Sequence, residues 1–177
     1  MGVQGVGMSI ETGYADIAID DFKAGMRQLA ASVTVITAAH DGTKDGLTAT
    51  AICSVSADPP QLLICVNQLA SAHGLIRDAG SFGVNILARE HEDIAVRFAG
   101  MDDTERGDRF GLGTWTKIAT GAPILIDALA GFDCTISEKV DAGSHSIFIG
   151  RIVGVHHQQG EPLLYGNGAF TGLAIKD

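Results

Sequence analysis

Gly46-Leu47-Thr48-Ala49-Thr50-Ala51-Ile52-Cys53-Ser54-Val55-Ser56 alternates with the period of two that marks a β-strand. Leu47, Ala49, Ala51, Cys53 and Val55 form one set of alternate positions, and Thr48, Thr50, Ser54 and Ser56 fall in the other. A strand facing water normally carries Lys, Glu or Arg there, so this one is read in two ways. Either it is half buried and uses Thr for its β propensity, or its uncharged hydroxyls face a polar ligand.

The segments around it extend the β pattern. Upstream, Asp20 or Asp21 is placed to cap a helix with Phe22, Met26, Leu29 and Ala30 on one face, and Val33–Thr37 follows as a strand. His40–Gly46 reads as a turn. Downstream, Asp58-Pro59-Pro60 is a rigid turn into an apolar strand, Leu62–Val66. A helix then starts at Ser71, repeats Ala72, Leu75, Ile76 and Ala79 along one face, and stops at Gly80. Phe82–Leu87 is a further strand, Glu90–Phe98 a helix and Met101–Gly113 a surface loop. Strands are expected around Trp115–Ile118, Gly131–Val140, Ser146–Val155 and Pro162–Tyr165. Several strands, few short helices and 23 glycines predict a mainly β (α+β) fold, a closed or nearly closed β-barrel with short peripheral helices. One domain is expected over residues 19–177, preceded by a loosely ordered arm, 1–18.

Composition narrows the function. A net charge of −9 with 12 scattered Lys and Arg argues against nucleic acid and against an anionic membrane surface. No apolar run reaches the roughly 18–20 residues of a membrane span, and the start of the sequence lacks the pattern of a signal peptide, so a cytoplasmic protein is expected. Cys53, Cys65 and Cys134 are widely spaced in apolar runs and read as buried free thiols.

Familiar site motifs are missing. Neither Gly111-Leu112-Gly113 nor Gly166-Asn167-Gly168 continues into a dinucleotide fingerprint, and no P-loop occurs. His156-His157 would point to opposite faces of a strand, so no metal is expected. No nucleophile signature is present. What remains is the hydroxyl stretch together with Asn67-Gln68-Leu69-Ala70-Ser71-Ala72-His73, where a helix start offers amides to an anion unless Ser71 is only an N-cap. Small hydroxyls and amides beside a phosphate seat suit a planar polar ligand such as a flavin.

Ordered blocks across Phe22–Phe170 carry a resemblance: "GLTATAICSVS", "DPPQLLICVN", "SAHGLIRDAGSFGVNIL", "RFGLGTW", "GAPILIDALAGFDCTI", "GSHSIFIGRI" and "LLYGNGAF". The sequence resembles the short-chain flavin reductases, the reductase components of two-component flavin-dependent monooxygenases, built on the FMN-binding split barrel. The resemblance implies that Thr48, Ala49 and Thr50 lie against the isoalloxazine ring and that Ser54, Val55 and Ser56 hydrogen-bond to the flavin. It assigns Asn67, Ser71, Ala72 and His73 to the phosphate region, and Phe82, Val84 and Asn85 to a strand bordering the flavin. His145 matches the histidine of a Gly-Asp-His motif on the nicotinamide side, although Ser144 stands where many relatives have Asp. Tyr165 and Phe170 match a later aromatic block.

The implied activity is hydride transfer from NADH or NADPH to FMN or FAD, with reduced flavin passing to a separate monooxygenase. Positioning suffices for this chemistry, which accounts for a site without charge, and no residue is assigned proton transfer. The resemblance also implies a homodimer. The alternative is a tightly flavin-bound carrier or electron-transfer protein without reductase activity.

Overall fold

The computed structural model describes residues 15–173. Its decisive feature is where the opening stretch breaks. Strand β1 (Ala31–Ser32) leads into β2 (Thr34–His40), which turns at Asp41-Gly42 into β3 (Thr43–Ala49), and β4 (Ile52–Ala57) follows after only Thr50 and Ala51. β5 (Pro60–Asn67), β6 (Ser81–Ile86), β9 (Ala130–Ala142) and β10 (His145–His157) complete a seven-stranded antiparallel sheet in the order β3-β2-β6-β9-β10-β5-β4. The consecutive strands β3 and β4 are thus its two outermost strands. Laid flat, seven strands would separate those edges by about 29 Å. The link from Ala49 to Ile52 reaches about 11 Å at full extension. The sheet is therefore rolled until its edges meet at Thr50-Ala51, which makes a barrel with a seam. The expected barrel is present, but "GLTATAICSVS" is two strands on either side of that seam. The expected turn over His40–Gly46 shrinks to Asp41 and Gly42, both at positive φ as a two-residue hairpin requires.

The remaining strands are short. β7 (Trp115–Thr116) pairs with β8 (Ile124–Leu125), and β11 (Leu164–Gly166) pairs with both β1 and β12 (Ala169–Thr171). The helices are α1 (Ile19–Met26), α2 (Ser71–Ala79) and α3 (Glu92–Phe98), with 3-10 turns at Arg89–His91 and Arg106–Gly111. Helix α1 starts at Ile19 without a side-chain cap, and Asp20 and Asp21 sit in its first turn. None of the described helices is long and apolar enough to cross a membrane. Of the expected arm, residues 1–14 lie outside the described part of the chain.

Two apolar clusters share strand β2, which is buried on both faces. Ile36 and Ala38 point into the barrel with Ile64, Phe82 and Phe148, and α2 closes that cluster with Ala72 and Ile76. Val33 and Val35 face the second cluster, with Leu87, Ile94, Phe98 and Phe110. Burial on both faces requires each polar group there to find a partner. Thr37 donates to the Pro123 carbonyl, and Asn85 donates to the Val35 carbonyl and accepts from Leu125 N–H. Of the three cysteines only Cys134 is buried, and burial pushes its thiol up to about 12. Cys53 is exposed on the edge strand β4, and Cys65 is half-buried on β5, where it alternates with the buried Ile64 and Val66.

Candidate functional site

Ser32 pairs with Leu164 and Ala31 with Tyr165, while three residues further on Thr34 pairs with Ala49. One short stretch of chain therefore brings the aromatic hairpin β11–β12 against the end of β3. Tyr165 and Phe170 stand opposite each other on that hairpin, edge to face with ring centroids 5.3 Å apart. Together with Thr48, Ala49, Thr50 and Met101 they line a cleft of about 230 Å³. Thr50 and Tyr165 are shared with an adjoining cavity of about 350 Å³ under α1, where Lys23 and Arg27 stand beside Phe22 and Met26. Lys23, Arg27 and Met101 were not expected at a site. They belong to α1, to its C-cap and to the loop after α3, and their meeting depends on pairings no local pattern encodes.

The two threonines are not equivalent. Thr48 Oγ1 donates to the Ala95 carbonyl at 2.7 Å, so its proton is committed to the structure and only its lone pairs are free. Thr50 makes no side-chain hydrogen bond among the described residues, which leaves its hydroxyl available in the cleft.

The seam extends the site. Cys65 N–H donates to the Ala51 carbonyl, so Asn67 at the end of β5 lies two residues, about 7 Å, beyond this crossing point. Asn67 pairs in turn with His145, the first residue of β10. Asn67 Oδ1 caps Leu69 N–H, and α2 begins four residues later. Thr50, Asn67, Ser71 and His145 thus share one end of the barrel. Helix α2 starts from Ala70 without any side-chain cap, which removes the reading of Ser71 as an N-cap. Its first turn holds no carboxylate, whereas α1 and α3 carry Asp20 and Asp21, and Glu92 and Asp93. Among the described residues the Ser71 and Ala72 N–H groups have no partner, while His73 N–H is bonded to the Ala70 carbonyl, so those two amides are open to an anion.

Ser54, Val55 and Ser56 lie down the other edge of the seam. A bulge pairs Ser54 with Leu62 and Ser56 with Gln61, leaving Val55 as the extra, exposed residue. Ser54 and Ser56 border a separate cavity of about 270 Å³, so the hydroxyls that alternate in sequence do not form one continuous row. Phe82, Val84 and Asn85 do not border a cleft. All three are fully buried, because β6 is covered on both faces, and Asn85 is bonded to the backbone on either side.

Ala72 is likewise buried in the barrel cluster. His73 is also largely buried, and its Nε2 lies 2.8 Å from Ser146 Oγ. Burial, then the nearby Lys139 and Arg77, lower its pKa, so the imidazole is neutral and offers no positive charge to a phosphate. His145 is exposed, with Nδ1 2.9 Å from Ser144 Oγ. His156 is bound to the Leu125 carbonyl. No group of three metal-ligating side chains occurs among the described residues.

The sequence pattern of the flavin reductase like domain family matches residues 26–174. An FMN reductase (NADH) RutF of Agrobacterium fabrum is 39% identical over 160 residues, covering 90% of this chain and 91% of the relative. Among solved structures, BorF, the flavin reductase component of a bacterial two-component tryptophan halogenase, is 36% identical with a TM-score of 0.80, covering 89% of this chain and 99% of its own. The NADH:FAD oxidoreductase SgcE6 of Streptomyces globisporus C-1027 is 28% identical with a TM-score of 0.83, over 94% and 100%.

Proposed function

The chain belongs to the flavin reductase-like domain family, and on that premise we propose that it is an NAD(P)H-dependent flavin reductase that supplies reduced FMN or FAD to a separate flavin-dependent monooxygenase in the cytoplasm. The observation that carries this reading is the cleft walled by Ala49, Thr50, Tyr165 and Phe170, from whose edge the Ala51–Cys65 backbone bond leads along β5 to Asn67 and the start of α2. A flavin fits the donor set: an apolar, aromatic-walled slot for the ring, a free hydroxyl for its polar edge and bare helix amides for its phosphate. Bound flavin would supply the hydride-accepting ring, with reduced nicotinamide as the hydride donor.

The chain's own residues bind and orient. Thr50 donates a hydrogen bond, Ala49 leaves room for a flat ring, and Tyr165 with Phe170 shields one side of the cleft from water. Ser71 and its neighbouring amides hold the phosphate. Asn67 holds the turn that leads to them. Ser54, Val55 and Ser56 offer further hydrogen bonds along the β4 edge, where the bulge leaves Val55 out of the ladder. His145 orients the nicotinamide. No proton transfer is required of any of them.

We also read the chain as a homodimer. Helix α1 buries none of its residues, and Ile19, Phe22 and Met26 are exposed, so an amphipathic helix lacks the surface its apolar face needs. BorF, the reductase component of a two-component tryptophan halogenase, supports a separate flavin-using partner. The test is oxidation of NADH or NADPH followed by absorbance, with catalytic and then excess FMN or FAD. Turnover that saturates with added flavin is expected. A tightly held yellow chromophore without turnover would replace the reductase by the carrier.

A further inference from the structure

Ser146 is fully buried next to an exposed histidine, and its hydroxyl joins three elements. It donates to Asp141 on β9 and lies 2.8 Å from His73 Nε2 on α2. Lys139 donates to the same Asp141 oxygen. The proton order follows from chemistry. The Lys139 ammonium and the Ser146 hydroxyl hold the Asp141 carboxyl below its usual range, so it only accepts. The single proton of Ser146 goes to Asp141, so His73 must donate from Nε2.

Successive residues of a strand point to opposite faces. With Ser146 fixed inward, His145 is held outward, at the first position of β10 beside the exposed two-residue turn Gly143-Ser144. Such a tip frays unless something ties it down. Gln68 adds backbone ties, from its N–H to the Ser144 carbonyl and from Nε2 to the His145 carbonyl. His73 lies on the same helix whose first turn is open to an anion.

We propose that His73, Ser146 and Asp141 form a positioning device that fixes His145 relative to the start of α2, and so sets the nicotinamide side of the site against its phosphate seat. This rests on the flavin reductase reading and on the place of His145 within it. His73, on this view, acts through the hairpin and does not touch flavin.

The experiment compares wild type, Ser146→Ala, Asp141→Ala, Asp141→Asn and His145→Ala for KM of NADH, KM of FMN, kcat and Tm. Ser146→Ala and Asp141→Ala should raise the NADH KM roughly fivefold, the size of one lost hydrogen-bonded restraint, and leave the FMN KM within about twofold. Asp141→Asn keeps an oxygen that accepts from Ser146 and should restore much of the NADH KM lost in Asp141→Ala. Should Ser146→Ala not fold, Asp141→Ala carries the test, because that carboxylate is exposed. A drop in Tm with both KM values unmoved, or an equal rise in both, would overturn the proposal. If His145→Ala leaves the NADH KM unchanged, the placement of His145 fails and takes the proposal with it. If wild type shows no NADH turnover, the reductase reading itself fails.

Discussion

The Thr48 hydroxyl donates to the carbonyl of Ala95, joining the end of β3 to helix α3 at 2.7 Å. Two residues on, Thr50 has no such partner among the described residues. Thr48→Val should therefore lower unfolding stability by about 1 kcal/mol, because it leaves a partly buried carbonyl unpaired. Thr50→Val should leave stability nearly unchanged and weaken flavin binding. Denaturant melts and flavin titrations of both variants check this, and equal behaviour of the two would contradict the division of labour.

Placing a negative charge at the start of α2 should act in opposite directions on stability and binding. Ser71→Glu supplies the first-turn carboxylate this helix lacks, worth about 0.3–1 kcal/mol to the helix. It should also raise the KM for FMN while sparing riboflavin, which has no phosphate. Thermal melts and a comparison of the two flavins test both halves.

The lowered pKa of His73 gives stability a dependence on pH with a definite sign. The unfolded chain binds the proton near 6.5 while the folded chain resists it, so the contribution is complete above that value and is lost as pH falls below it. Asp141 acts in a lower window: its depressed pKa protects the fold above about 3.8, and that protection is lost below it. Tm measured from pH 7.5 to 5 should fall, and His73→Gln should flatten that part of the curve.

If α1 packs against a second copy, Phe22→Glu should turn dimers into monomers without unfolding them, since Phe22 is 48% exposed in the single chain. Sedimentation and circular dichroism together report this. An unchanged mass would exclude α1 from the contact.

Much of the barrel was legible from local pattern. The helix ending at Gly80, the strand through Phe82 and the long β9–β10 hairpin fall close to where periodicity and turn residues put them. The break at Thr50-Ala51 was not legible, because the alternation of small and hydroxyl residues continues through it. Which neighbour each half pairs with is a long-range choice that the period of two does not record. The same limit explains Phe82, Val84 and Asn85: their strand was foreseen, but its faces are buried by the barrel cluster, which takes Phe82 and Val84, and by β8, whose Leu125 N–H bonds Asn85, and two-residue strands such as β8 leave no period to read. His73 was singled out for its place near a helix start, while Ser146, whose bond decides its role, is distant in sequence.

The seam at Thr50-Ala51 also bears on traffic. The interior of the barrel is filled by Ile36, Phe82 and Phe148, so a guest at Thr50 sits on the outer wall and not in the lumen. It can depart sideways without parting a single pair of strands. For a protein that reduces flavin, the rolled sheet acts as a loading dock rather than a vault.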